Sequence, residues 1–198
     1  MQRKNKLFLF GISLIIISIL IPILKIYNDN KVLKEKEYKI AYYKEITKTD
    51  STFKNDNNLS IGDNYIAILE IPDLNIKNGL VNKYSKYNDV KYNVAILNGS
   101  NMPDIPKSNL ILASHNGTSS VSYFNNLKNI SDNSLIYLYY NGIKYIYKYH
   151  NSYDIDKNGK ANIKRDISVN TLTLITCKEK DDTKQVVYIS YLIDKESY

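Results

Sequence analysis

Short apolar segments separated by turn signals are the feature of this sequence that most restricts its fold. They recur from residue 64 to residue 193 and are rich in Ile, Val, Leu and Tyr. β-Branched and aromatic residues favour half-buried strands. The predicted strands are 64–71, 94–97, 109–113, 134–140, 143–149, 171–176 and 186–193. Seven or eight short strands at this spacing predict a mainly β domain, folded as a small closed or nearly closed barrel.

Two local signals refine this prediction. Asn141-Gly142 separates two apolar segments, and an Asn-Gly pair favours a tight hairpin because both positions tolerate a positive φ. Residues 123–129 predict a brief helix, since Phe124 and Leu127 are three positions apart.

An apolar run near the amino terminus predicts a membrane anchor. Residues 7–24 contain no charged side chain, and as a helix they would span about 27 Å, close to the thickness of the hydrocarbon core. No small-residue cleavage site follows, which favours a retained single-pass helix over residues 7–26 after a cytoplasmic tail, residues 1–6. Lysines occur on both sides of the run, so charge alone does not decide the orientation.

The polar segment behind the anchor predicts a juxtamembrane helix and linker over residues 27–57. Residues 32–46 have helical character, and residues 47–58 are too polar to bury a core of their own. The sequence therefore places the folded domain at residues 58–198.

Charge and cysteine content exclude some classes of function. The formal net charge is +7, but the lysines are dispersed among acidic residues, which argues against nucleic-acid binding and is compatible with an anionic membrane or wall polymer. A single cysteine excludes an intrachain disulfide and a cluster of thiolate metal ligands.

That cysteine and one histidine stand at the ends of predicted strands. His115 follows strand 109–113, and Cys177 follows strand 171–176. If the strands are neighbours, a thiol and an imidazole meet, and a nearby imidazolium favours the nucleophilic thiolate. A buried structural cysteine is the alternative interpretation.

Four motifs in order resemble the sortase family. They are AILEIPDL at 67–74, ILASHNG at 111–117, the Phe-x-x-Leu segment from Phe124 followed by Ile130, and LTLITC at 172–177. The spacing of 62 positions from His115 to Cys177 (177 − 115) resembles that of the compact classes such as A or D.

The resemblance implies an eight-stranded barrel and a cysteine transpeptidase facing the cell exterior. Sortases cleave a Leu-Pro-x-Thr-Gly-like sorting signal of surface proteins between Thr and Gly, through a thioacyl intermediate. An amine of a peptidoglycan precursor or pilin then resolves that intermediate. By motif position, Cys177 is the nucleophile and His115 the general acid and base, while Ser114, Asn116 and Thr176 line the substrate site.

The sequence departs from the family at its third functional residue, an Arg on the strand after the cysteine. Gln185 occupies that position. Gln185 could donate its amide N–H to the oxyanion, Lys184 or Lys180 could supply a cation, or the barrel could bind sorting peptides or a surface partner without turnover.

The family chemistry implies no cofactor. Asp154 and Asp156 resemble the start of an EF-hand loop, but Arg165 stands where that loop needs a bidentate Glu. A weak Ca²⁺ site near Asp154 and Asp156 remains an alternative to a plain polar turn.

Overall fold

The computed structural model describes residues 2–49 and 65–198, with side chains described over 10–48 and 65–198. The chain divides into two compact units, residues 1–38 and residues 39–198. Most of the predicted linker lies outside the described residues.

The amino-terminal unit is helical. A single helix, α1 (Gln2–Thr49), includes Pro22 and runs through both the predicted anchor and the predicted juxtamembrane helix. Its most apolar stretch has a mean hydropathy of 2.3, which fits a single-pass membrane anchor.

The second unit is an eight-stranded, nearly closed barrel, as predicted. Its strands are β1 Tyr65–Ile71, β2 Ile76–Val81, β3 Ala95–Ile96, β4 Asn109–Ala113, β5 Leu135–Tyr140, β6 Ile143–Asp156, β7 Thr171–Lys178 and β8 Asp181–Ser197. They are hydrogen bonded in the order β2-β1-β5-β6-β8-β7-β4-β3. The two terminal strands of this order contact each other and bring the sheet close to closure. All neighbours are antiparallel except β4 and β7, which are parallel.

Alternate residues of β4, β7 and β8 pack on opposite faces of the sheet. One face lines the barrel interior, where Leu112, Leu174 and Tyr188 are buried. The other face carries a separate apolar group, called here the outer cluster, made of Ile111, Ile175, Val187 and Ile189. This two-sided burial explains why these strands are almost continuously apolar.

Strand β2 is the element that the sequence patterns missed. Its Asn78-Gly79 pair has the composition of a turn but lies inside the strand. Gly79 is required there because a Cβ atom would lie 2.1 Å from Cδ2 of the Tyr65 ring. The glycine therefore marks a close approach between neighbouring strands.

The predicted hairpin at Asn141-Gly142 is present between β5 and β6, with φ values of 50° and 73°. The predicted helix over residues 123–129 is shorter than expected, since only Leu127–Asn129 forms a 3₁₀ turn. Strands β6 and β8 are longer than predicted because they pair with each other beyond the barrel core, where exposed polar side chains hide the strand pattern.

The carboxy-terminal part of α1 packs on the barrel. Ile40 and Tyr43 bury the side chain of Ile68, and the Tyr43 hydroxyl donates to the carbonyl oxygen of Ile66 at 2.7 Å. The hydroxyls of Thr47 and Tyr198 are hydrogen bonded at 2.7 Å. This helical turn thus belongs to the same compact unit as the barrel, residues 39–198, because it buries apolar surface against β1.

Candidate active site

The parallel pairing of β4 and β7 places His115 and Cys177 at adjacent strand ends. Ala113 pairs with Ile175 in the last register position. One residue further, the amide of Ser114 donates to the carbonyl oxygen of Ile175 at 3.2 Å. His115 is the second residue after the end of β4, and Cys177 is the last but one residue of β7, so the two residues lie at neighbouring strand ends. Both residues are partly exposed.

Two side-chain hydrogen bonds hold these strand ends together. The hydroxyl of Thr176 donates to the carbonyl oxygen of Ser114 at 2.9 Å, and Nδ2 of Asn116 donates to the carbonyl oxygen of Cys177 at 3.3 Å. Ser114 and Thr176 are only 4% and 3% exposed. These two buried residues therefore align the strand ends, whereas Asn116 is partly exposed and contacts the backbone of Cys177.

The backbone of His115 is anchored from the next loop. The amide of Phe124 donates to the carbonyl oxygen of His115 at 3.2 Å. The side chains of Phe124 and Leu127 are fully buried in the barrel core. The Phe-x-x-Leu motif therefore fixes the histidine segment through packing, a relationship that the motif spacing alone did not reveal.

Gln185 lies directly opposite Cys177 in the β7–β8 pair. Residues directly opposite each other in an antiparallel pair project from the same face. Ile175 and Val187, two residues back along each strand, are also opposite each other and belong to the outer cluster. Gln185 and Cys177 therefore extend the face of the outer cluster.

The nearby lysines project from the reverse face. Lys184 lies directly opposite Asp156 in the β6–β8 pair, and it alternates with Gln185 along β8. The ammonium group of Lys178 is ion paired with the carboxylate of Asp154, which raises the pKa of Lys178 above its ordinary value. The register thus separates Lys184 from the thiol and favours Gln185 as the donor beside it.

Arg165, the barrel's only arginine, lies at the other end of β7. Its Nη1 donates to the hydroxyl of Thr171 at 3.3 Å, at the first residue of the strand. Cys177 follows Thr171 by six positions along the strand, which corresponds to about 20 Å. Arg165 therefore does not replace the missing arginine.

The acidic residues that suggested a Ca²⁺ site lie near the end of β6. The carboxylate of Asp154 is ion paired with the ammonium group of Lys178. Asp156 lies directly opposite Lys184 in the β6–β8 pair. Within residues 10–48 and 65–198, no three His, Cys, Asp or Glu side chains are grouped as metal ligands.

The fold and the site together define a class: β-barrels that bring a cysteine and a histidine to adjacent strand ends at one end of the barrel. A family model for the sortase domain matches residues 69–192, more than half of the chain. The chain belongs to the sortase family.

Solved structures of sortases share this fold. Sortase D5 from Clostridium perfringens is 16% identical with a TM-score of 0.63, and the match covers 80% of this chain and 98% of that one. A lid mutant of sortase A from Corynebacterium diphtheriae is 18% identical with a TM-score of 0.61, covering 71% and 75%. Sortase C-1 from Actinomyces oris is 16% identical with a TM-score of 0.59, covering 69% and 76%. A comparison with curated protein sequences finds no match.

Proposed function

We propose that this protein is a membrane-anchored transpeptidase that cleaves a Leu-Pro-x-Thr-Gly-like sorting signal between Thr and Gly. The acyl group is then transferred to an amine of a peptidoglycan precursor or pilin. The observation that supports the proposal is the position of β7 between β4 and β8, with Gln185 opposite Cys177 on β8 and His115 two residues beyond the end of β4. The reaction uses a thiol, an imidazole and an amide, and it requires no cofactor.

The first half of the reaction forms a thioacyl enzyme. The Cys177 thiolate attacks the Thr carbonyl carbon, so that a C–S bond forms and the carbonyl electrons move onto oxygen. As the intermediate collapses, the C–N bond to Gly breaks, and the His115 imidazolium gives its proton to the leaving amine. The amino-terminal part of the substrate stays bound to the sulfur.

The second half transfers the acyl group. The acceptor amine attacks the thioester carbon while the neutral His115 imidazole accepts its proton. A C–N bond forms, the C–S bond breaks, and the Cys177 thiolate returns. In both halves negative charge develops on the carbonyl oxygen, and a preorganised N–H donor stabilises it.

Gln185 is the side chain we assign to that oxyanion. Its position across from Cys177 on the same face supports this role. A neutral amide lacks the charge and the bidentate fork of a guanidinium, so catalysis should be slower than with Arg at this position.

The cellular setting follows from the family and from α1. An apolar helix near the amino terminus fits a single membrane span, and surface proteins with sorting signals are presented outside the cell. We therefore place the barrel on the extracellular side, with surface proteins and wall or pilin amines as partners. Nucleic acid has no part in this function.

The test uses the full chain in detergent micelles with a fluorogenic sorting peptide. The wild type should cleave the peptide and form a thioacyl adduct detectable by intact mass spectrometry. Cys177→Ala and His115→Gln should abolish both signals, while Tyr84→Phe, a change at a side chain that is 84% exposed, should preserve them. The proposal would be wrong if the wild type neither cleaved the peptide nor formed the adduct. If Cys177→Ala still bound the peptide in that case, the protein would be a barrel that binds sorting peptides without turnover.

A further inference from the structure

An ion pair joins the two chain segments that follow the candidate catalytic residues. The ammonium group of Lys128 lies 2.6 Å from Oε2 of Glu179. Glu179 follows Cys177 by two positions, in the turn between β7 and β8. Lys128 lies in the 3₁₀ turn Leu127–Asn129, which belongs to the segment after His115. The pair therefore connects the segment behind the thiol to the segment behind the imidazole.

The segment that carries Lys128 is fixed close to the histidine. The amide of Phe124 donates to the carbonyl oxygen of His115 at 3.2 Å. Leu127, which precedes Lys128, is fully buried in the barrel core. On the other side of the pair, Glu179 is about 7 Å from Cys177 along an extended chain. Both partners are thus held at the end of the barrel where β4 and β7 finish.

Glu179 is the carboxylate nearest to Cys177 in the sequence, and its partner is held less firmly than those of its neighbours. Asp154 is ion paired with Lys178, and Asp181 accepts hydrogen bonds within its own turn. The side chains of Glu179 and Lys128 are both 50% exposed. Exposed ion pairs contribute little to stability, so a cation from solvent can replace Lys128 at small cost.

The second half of the proposed reaction brings such a cation to this place. Alkyl amines have a pKa of about 10 and arrive as ammonium ions. An ammonium group offers three N–H donors and needs an anionic acceptor when it leaves water. The hydrogen bond from Lys128 holds the pKa of Glu179 below its ordinary value, so the carboxylate is ionised at neutral pH. Lys128 itself supplies the same chemical group as the acceptor.

We propose that Glu179 binds the primary ammonium group of the acceptor, and that Lys128 pairs with this carboxylate until the acceptor replaces it. The replacement exchanges one ammonium group for another and changes no covalent bond. The bound ammonium then gives a proton to His115 and attacks the thioester as the free amine. This inference rests on the proposed function, because it assigns the recognition of the second substrate to Glu179.

The two partners of the ion pair should respond to mutation in opposite directions. Glu179→Gln removes the acceptor's binding group and should raise KM for the acceptor about three- to tenfold. Lys128→Gln removes the competing ammonium group and should lower that KM about two- to threefold. A pair that only stabilised the turn would be broken by either change, and both variants would then shift KM in the same direction.

The experiment measures transpeptidation by the full chain in detergent micelles at a saturating concentration of a sorting peptide. Nα-acetyl-lysine amide is the charged acceptor, and hydroxylamine is an acceptor that is mostly neutral at neutral pH. Mass spectrometry quantifies the product and the thioacyl enzyme. Asp182→Asn is the matched control, since Asp182 is an exposed carboxylate of the same hairpin.

We expect Glu179→Gln to raise KM for the lysine acceptor, with kcat within about twofold of the wild type. The rate of thioacyl formation and the reaction with hydroxylamine should not change, and Asp182→Asn should match the wild type. An unchanged KM in Glu179→Gln, an equal rise in KM for hydroxylamine, or a rise in KM in Lys128→Gln would overturn the inference.

Failure of the proposed function would be recognised separately, because the wild type would then cleave no peptide. In that case, NMR titration of Cys177→Ala with Nα-acetyl-lysine amide decides the inference, with isotope-labelled lysine as the reporter. A saturable shift of the Lys128 side-chain signal that is lost in Cys177→Ala/Glu179→Gln would support it. A Lys128 signal that did not shift would overturn it.

Discussion

Gln185 and Cys177 face each other across β7 and β8 and project from the same side of the sheet. This relationship makes the glutamine amide the side chain to test as the oxyanion donor. Gln185→Leu keeps the approximate size and removes the N–H, and we expect kcat/KM for a sorting peptide to fall about 10²–10³-fold. Gln185→Arg should raise it above the wild type because a charged, bidentate donor is restored.

Lys184 supplies the matched control for that series. It is adjacent in sequence but projects toward Asp156 on the reverse face. Lys184→Gln should leave kcat/KM within about twofold of the wild type. A large loss for Lys184→Gln together with an unchanged Gln185→Leu would assign the donor role to the lysine and contradict our interpretation.

Thr176→Val should destabilise the barrel and misalign the site. The valine keeps the shape of the threonine but leaves the buried carbonyl oxygen of Ser114 without its 2.9 Å hydrogen bond. We expect the free energy of unfolding to fall by about 1–3 kcal/mol in urea titrations. Ser168→Ala, a change at an exposed loop hydroxyl, serves as the control. Equal midpoints for Thr176→Val and the wild type would show that this bond does not support the strand ends.

Tyr43→Phe tests the packing of the carboxy-terminal turn of α1 on β1. Burial, the main cause, raises the pKa of Tyr43 far above its ordinary value, so the hydroxyl keeps its proton and its bond to Ile66 over the accessible pH range. Its removal should cost about 1 kcal/mol in the free energy of unfolding. Tyr84→Phe should cost nothing measurable because Tyr84 is 84% exposed. A Tyr43→Phe protein as stable as the wild type would indicate that the helix is held without this bond.

Gly79→Ala should be strongly destabilising, because the new methyl group would overlap the Tyr65 ring at 2.1 Å. We expect a loss of about 1–3 kcal/mol in the free energy of unfolding, measured by chemical denaturation. Gly159→Ala is the matched control, since its φ of 81° is unfavourable but no atom lies within 4 Å of the added Cβ. The double variant Tyr65→Ala/Gly79→Ala should lose less than the sum of its single changes. If the loss in the double variant equalled the sum of the two single losses, the contact between the new methyl group and the Tyr65 ring would not be the cause of the destabilisation.

The Lys178–Asp154 ion pair gives a prediction for pH and for Ca²⁺. The pair raises the pKa of Lys178, so its contribution to stability is present below the ordinary lysine pKa and is lost as pH rises through the folded-state value. Asp154→Asn should lower the pKa of Lys178, as measured by NMR titration of its side chain, with Lys180 as the internal reference. Millimolar Ca²⁺ should leave the pKa of Lys178 in the wild type unchanged. A fall on adding Ca²⁺ would show that the ion competes for Asp154.

Local patterns predicted most of the barrel, and they failed where long-range packing decides the structure. The hairpin at Asn141-Gly142 follows from residue types alone. Strand β2 does not, because Gly79 is explained only by a tyrosine ring on the neighbouring strand. The packed turn at Ile40 and Tyr43 was assigned to a polar juxtamembrane region, since its apolar contacts involve residues more than twenty positions away.

The candidate site shows the same limit. Motifs identified His115 and Cys177 as candidates, and the register of β8 with its two neighbours puts Gln185 and Lys184 on opposite faces of the sheet. No local pattern could show that β4 and β7 are adjacent and parallel, because that pairing depends on the whole barrel. The catalytic and substrate-binding roles of these residues remain predictions for the variants above.

The position of β8 has a consequence for how the barrel folds. This strand follows β7 in sequence, yet it lies between β6 and β7 and joins the two halves of the sheet. Contacts between residues distant in sequence form slowly, so the long pairing of β6 with β8 is expected to be a late step of folding. Cys177 gains Gln185 as its cross-strand neighbour only when β8 is in place.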